Sequence, residues 1–235
     1  MAIVIVVIVV LFFLLRDTFS EVGFVVNPEA GGIDSFVYSC IEEVGREAVL
    51  NISVRGGYYD MPELSVDSRV PLYYVGGRNY MPINEKIEGE ISKYVNDNLK
   101  KCVGDFSDFS DYDIKDGVVS TRVNIEENVT LIDVNYPLYI EKNDVVIELG
   151  DFSRFEVKVR LGAGYLAIKG FMEEQVGSED LCLSCLVDNL VVYDLYADMY
   201  DYNESVLFVV TSNETSLEEE NLKFIFANNY GGDSQ

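Results

Sequence analysis

The chain has 235 residues, 49% of them hydrophobic, with 16 Tyr and 13 Phe, and its 41 acids against 17 bases give a formal charge of −24. That apolar content argues for a folded chain, since burying it offsets the entropy of ordering, while the charge repels a phosphate backbone and excludes nucleic acid as a partner. The sequence has no histidine. The commonest general base, the Ser-His and Cys-His pairs and the commonest zinc ligand are therefore missing, so no enzyme, cofactor or metal is expected.

Residues 1–24 come first, with MAIVIVVIVVLFFLL apolar throughout before Arg16 and Asp17. As a helix, fifteen residues reach only about 22 Å, short of the roughly 30 Å core of a bilayer. No basic segment precedes the stretch and no A-x-A site follows it, so a retained helix is expected rather than a cleaved secretory signal. Its expected roles are membrane anchor or filament core. Residues 25–32, VVNPEAGG, read as a hinge.

Residues 33–104 form an expected helical part with a tyrosine-rich hairpin. Ile33, Val37, Cys40, Ile41, Val44 and Ala48 recur at three-and-four spacing, and Gly56 with Gly57 ends that helix. Tyrosines alternate with polar residues across 58–80 around Gly76 and Gly77, which predicts a β-ribbon. Asn84 is the expected cap of a second helix, whose Ile87, Ile91, Tyr94, Val95, Leu99 and Cys102 share a face.

Residues 105–235 are the β-rich acidic part. Val119, Thr121, Val123 and Ile125 alternate with polar residues, as do Thr130, Ile132 and Val134, and then Phe155, Val157 and Val159. A helix is predicted over 164–176, followed by strands at LVVYDLY, SVLFVVT and LKFIFA. The fold class is α+β: an apolar N-terminal helix, then an ectodomain with two early helices and a mainly antiparallel sheet. No Lys or Arg occurs over 170–222. The repeat DFSDFSDYD gathers Asp105, Asp108, Asp111 and Asp113, but the spacing departs from an EF-hand loop and reads as a solvated acidic turn.

The four cysteines, Cys40, Cys102, Cys182 and Cys185, are disulfide candidates. Cys40 and Cys102 lie on the core-facing sides of two helices and suit a bridge between them. The C-L-S-C motif reads first as a short-loop structural disulfide. A redox centre would need the motif to open a helix beside a lowered thiol pKa, a zinc site would need a second ligand pair, and reduced core thiols are the fourth reading. Asn51, Asn128, Asn203 and Asn213 each head an N-glycosylation sequon, and Asn51 is the poorest candidate because it lies near the end of the first expected helix. Paired cysteines, sequons and the apolar leader together place residues after Arg16 outside the cytoplasm, at the cell surface and held there by the N-terminal helix.

A wholly apolar N-terminal helix followed by a polar ectodomain resembles mature type IV pilin-like proteins of archaea. SCIEEVGREAV, RGGYYDMP, YYVGGRNYMP, YVNDNLKKCV, VRLGAGYLA, LCLSCL and FIFANNY resemble, in order, segments of uncharacterised membrane-anchored surface proteins of small-genome archaea. In such proteins a basic leader with a Lys-Gly-Gln signal precedes the apolar helix. The helix sits in the membrane before assembly and in the filament core afterwards. The resemblance implies architecture and location but no reaction.

The expected function is thus an extracytoplasmic structural protein, a pilin-like filament subunit whose partners are copies of itself through residues 1–24, the membrane before assembly, and N-glycans. The alternative is a single-pass anchored ectodomain for adhesion or partner binding, for which the tyrosines of 58–80, Tyr73 and Tyr74 among them, suit recognition, although alternating tyrosines are more often half-buried sheet residues. Carboxylate neighbours such as Glu173 with Glu174, or Asp194 with Asp198, offer acid and base work in principle, but nothing in the spacing picks out one pair, and adjacent acids arise by chance in so acidic a chain.

Overall fold

The structure, a computed structural model, describes residues 31–143, 145–178, 180–212 and 221–231. The expected apolar helix over 1–24 and the first part of the hinge lie outside the described residues. Among those described, no helix is long and apolar enough to cross a membrane.

Helix α1 spans Gly31–Val54, so the last two residues of the expected hinge are helical. Its Ile33, Val37, Ile41, Ala48, Val49 and Ile52 are fully buried, as their spacing requires of one helix face. Gly56 and Gly57 stop it at φ 58° and 81°, a region that side chains with a Cβ rarely enter. Strands β1 (Ser65–Val66), β2 (Val70–Val75) and β3 (Arg78–Asn79) follow. The expected hairpin at Gly76 and Gly77 is present but short: β3 pairs antiparallel with β2 over two residues, and the Tyr80 N–H donates to the Tyr73 carbonyl at 2.7 Å. On its other side β2 joins the sheet beside a C-terminal strand, with a register shift that makes Tyr73 an extra residue. Both Tyr73 and Tyr74 are buried, Tyr73 donating to the Gly56 carbonyl at 2.8 Å and stacking on Phe226. These two side chains are core, which removes them from the expected recognition surface.

Helix α2 spans Asn84–Val103 and brings Ile87, Ile91, Tyr94, Val95 and Leu99 to its buried face. Asn84 is not its cap. Ile83 occupies that position without a side-chain bond, and the Asn84 amide donates to Glu88 instead. A 3-10 turn at Ser107–Phe109 leads to β4 (Asp113–Asp116), β5 (Ser120–Ile125), β6 (Thr130–Lys142) and β7 (Val145–Val157). All pair antiparallel around β6, which has β7 on one side and β4 with β5 on the other. The alternation that predicted β5 and β6 is seen in burial: Val123, Thr130, Ile132 and Val134 face inward while Arg122, Asn124 and Asn135 face water.

Helix α3 (Leu161–Gln175) and helix α4 (Leu183–Val192) precede β8 (Leu195–Tyr202), β9 (Ser205–Ser212) and β10 (Lys223–Asn229). The strand expected at LVVYDLY is corrected here. Leu190, Val191 and Val192 end α4, because Leu186 and Leu190, four apart, bury one helical face; the strand begins only after Asp194 reverses the chain at φ 50°. The second sheet runs β1-β2-β10-β9-β8 and is mixed, with β10 parallel to β2 and every other pair antiparallel. Phe171 of α3 packs on Phe208 and Phe226 of this sheet.

Helix α1 lies against both sheets. A Cβ on Gly45 would overlap the Phe155 ring of β7, and one on Gly56 would come within 2.6 Å of the Ile225 carbonyl of β10. The carboxylate of Glu90 ties the chain after α1 to α2. It is 5% exposed, accepts the backbone N–H of Tyr59 at 2.7 Å and of Asp60 at 3.0 Å, and pairs with Lys86 at 2.5 Å. Burial alone would raise its pKa, but the bonds from Lys86 and the two amides outweigh that and hold it below the ordinary value.

Two stability predictions follow from these contacts. Gly45→Ala is expected to destabilise by about 1–3 kcal/mol through overpacking, whereas Gly89→Ala, on an exposed stretch of α2 with nothing within 4 Å, is expected to stabilise by about 0.5–1 kcal/mol. Urea melts of the two variants check the opposite signs. A depressed folded-state pKa contributes stability that is present above the ordinary value of 4.5 and lost as pH falls through the folded value. Glu90→Gln should therefore cost about 1–3 kcal/mol at neutral pH, with the gap from wild type narrowing as melts are repeated below pH 4.5.

Candidate functional site

Both cysteine pairs are bonded, and none of the four is free. Cys40, 4% exposed on α1, meets Cys102 on α2 with a Cα separation of 5.7 Å. Closing 62 residues, this bridge removes much of the freedom of the unfolded chain, about 4 kcal/mol in the loop-entropy account. Cys182 and Cys185 are joined across three residues at the start of α4. Cys182 is the N-cap, and its sulfur accepts the Cys185 backbone N–H at 3.4 Å. The motif thus opens a helix, whereas the sequence reading places it between the helix expected over 164–176 and the strand expected at LVVYDLY. Two disulfides belong to an oxidising compartment outside the cytoplasm.

The sequons are separated by their surroundings. Asn51 sits inside the last turn of α1, and the Ser53 hydroxyl is buried and donates to the Leu50 carbonyl at 2.8 Å. Asn128 lies exposed in the β5–β6 turn, where its side-chain oxygen accepts from Arg160 at 3.3 Å. Asn203 is exposed in the two-residue turn between β8 and β9, at φ 54°. Asn213 lies outside the described residues.

The acidic repeat puts its rings in and its acids out. Phe106 and Phe109 pack on Phe36 of α1, while Asp105, Asp108, Asp111 and Asp113 are exposed. Among the described residues no three acids or cysteines converge into a cluster able to hold a metal. The catalytic candidates do not form a site either. Glu173, Glu174, Asp194 and Asp198 are all exposed; Glu173 faces Lys169 at 3.9 Å and Glu174 accepts from Asn189 at 3.1 Å.

A cleft of about 640 Å³ opens between α2 and the antiparallel sheet, lined by Glu88, Ser92, Arg122, Asp133 and Asp151 among others. Its carboxylates are each engaged. Asp133 takes both nitrogens of Arg154 at 2.9 and 2.8 Å, Asp151 accepts from Asn135 at 2.5 Å, and Glu88 accepts the Ile125 N–H at 3.0 Å. The hydrogen bond from Arg154 holds the Asp133 carboxyl below its ordinary pKa, which suits a structural pair and not a general acid.

No family model, curated protein or solved structure matches the chain. Its functional reading therefore rests on its own residues.

What remains distinctive is surface. Leu183, Val187 and Val191, each four apart, form an exposed stripe on α4, and Tyr196, Tyr200 and Tyr202 stand exposed on one face of β8. Period-two alternation in LYADMYDY carries that β8 face in the sequence, masked there by the apolar run LVV that precedes it.

The geometry orders the sequons for modification. In a host that glycosylates the chain, intact-mass and peptide mapping should find sugar at Asn203, and none at Asn51; Asn51→Gln should leave the glycoform mass unchanged apart from the substitution itself.

Proposed function

We propose that the protein is an extracytoplasmic structural protein of the cell surface, held by residues 1–24 and packed through them against further copies of itself as a pilin-like filament subunit. The observation that carries this reading is the staple at Cys40–Cys102. The apolar segment feeds into α1 after a few residues, and α1 is covalently tied to α2 in its third turn. A pull on the N-terminal segment is thereby passed to the whole domain and not to one helix that could peel away. An outward acidic coat, from a chain of charge −24, supports solubility of such an assembly and keeps anionic lipid headgroups at a distance from the domain.

In this reading the segment MAIVIVVIVVLFFLL resides in the membrane before assembly, N-glycans decorate exposed sequons, and no catalytic step is assigned. The absence of histidine in the sequence and the paired state of the cleft carboxylates support that last point. A second reading, an anchored ectodomain that binds a partner, is favoured by one feature: the exposed Tyr196, Tyr200 and Tyr202 on β8, which offer amphipathic contact area at low entropic cost.

Electron microscopy of surface fractions and cross-linking through a single cysteine in a Val6→Cys variant distinguish the two. Fibres and a ladder of cross-linked copies are expected, and Val6→Asp should abolish both while the secreted domain keeps its melting transition. Monomers that remain in lipid, with a surface-binding activity lost in Tyr200→Ala, would replace the filament reading by the second.

A further inference from the structure

We propose that Cys182–Cys185 is a thiol-exchange site, a disulfide opened and re-formed by a dithiol of another molecule, with Cys182 as the exchanging sulfur. The first support is what the bond does not do. It closes a loop of three residues, for which the loop-entropy account gives roughly two-fifths of the stabilisation of the 62-residue bridge, so stapling the fold is a weak reason for it. The second is placement. Cys182 caps a ten-residue helix, where first-turn amides stabilise a thiolate, and one of them, the Cys185 N–H, already points at its sulfur. The Ser184 hydroxyl lies 3.7 Å from the same sulfur.

The third support is that the motif is held by groups outside the disulfide. Gln175, fully buried at the end of α3, accepts the Cys182 backbone N–H at 3.0 Å and donates to the Asp180 carbonyl at 3.0 Å. Cys185 packs against the core, and Leu186 behind it is buried. Opening the bond leaves both thiols in place, ready to close again.

The exchange balances as a two-electron step. A thiolate of the incoming dithiol attacks the Cys182 sulfur, the Cys182–Cys185 bond breaks, and its electron pair leaves on Cys185, which takes a proton from water. The second thiol of the donor loses its proton and attacks the donor's own sulfur in the mixed disulfide, releasing Cys182 as a thiolate facing the Cys185 N–H. The donor is oxidised to a disulfide and the pair is reduced; the reverse sequence restores it. With no Lys or Arg over 170–222, and Asp180, Asp188 and Glu174 exposed nearby, the surroundings repel anionic thiols. The partner is accordingly a neutral or basic dithiol, and not an acidic monothiol.

The test uses the full chain, oxidised, in a dithiothreitol series quenched by alkylation and mapped by mass spectrometry. Cys182 and Cys185 are expected to be labelled at about one-tenth of the dithiol concentration that opens Cys40–Cys102. Glutathione at equal thiol should open the pair more slowly than dithiothreitol, and raising the ionic strength should narrow that difference. In single variants, Cys185→Ser should form a mixed disulfide with an aromatic disulfide probe about ten times faster than Cys182→Ser. Simultaneous opening of both bridges in the unaltered chain overturns the proposal, whether or not the variants fold. Equal probe rates in two folded variants overturn the assignment to Cys182.

Discussion

Everything described depends on how closely α1 approaches two sheets at once. A helix normally rests on one sheet at a distance set by side chains; here Gly45 lets the Phe155 ring of the antiparallel sheet reach the helix backbone, and Gly56 brings the helix end against Ile225 of the mixed sheet. One apolar face, from Ile33 to Ile52, thereby serves two layers, and a continuous core runs through both. The fully buried Tyr73 belongs to the same constraint, since its hydroxyl donates to the Gly56 carbonyl just beyond the end of α1. Burial pushes the pKa of that phenol well up, so it stays a donor over the whole physiological range.

The second constraint is charge. Forty-one acids on a chain this size repel one another, and several of the seventeen bases pair with individual carboxylates. Arg154 takes Asp133 with both nitrogens, Lys100 meets Asp116 at 2.5 Å beneath the Tyr136 hydroxyl, and Lys93 pairs with Asp60 beside the Tyr59 ring. These pairs are largely exposed and contribute little each. Their arrangement around α2 leaves residues 170–222, which hold no Lys or Arg, with an excess of negative charge, and the distinctive surfaces, α4 and the β8 face, lie within that stretch.

Much of this was legible in the sequence where a pattern obeyed one period. The helix faces of α1 and α2, the alternation of β5 and β6, and the bridge between Cys40 and Cys102 follow from three-and-four or period-two spacing. The misreadings share a cause: each rested on local composition where a tertiary contact decided. Tyr73 and Tyr74 look like ribbon residues, but a bulge turns both inward against Phe226 and Ser178. Leu190 to Val192 read as strand by their branched side chains, yet Leu186 and Leu190 bury as a helical pair. The site was less legible than the fold, because a C-L-S-C run does not say what precedes it, and only the packing of α3 against α4 puts Gln175 behind the cysteines.

The two disulfides stand in different mechanical positions. Cys40–Cys102 lies where the N-terminal segment enters the domain, so every reading that places load or anchorage on residues 1–24 requires that bond to stay closed. Cys182–Cys185 lies on α4, which packs on α3 and β8 and shares no bridge with α1 or α2. A thiol arriving at Cys182 therefore works at a point where opening a bond changes neither the core face of α1 nor the cross-link to α2. Separation of this kind is what allows one chain to keep a permanent staple and a reversible one in the same oxidising compartment: the permanent bond has Cys40 buried and closes a long loop, while the reversible one sits at a helix start and closes a very short one.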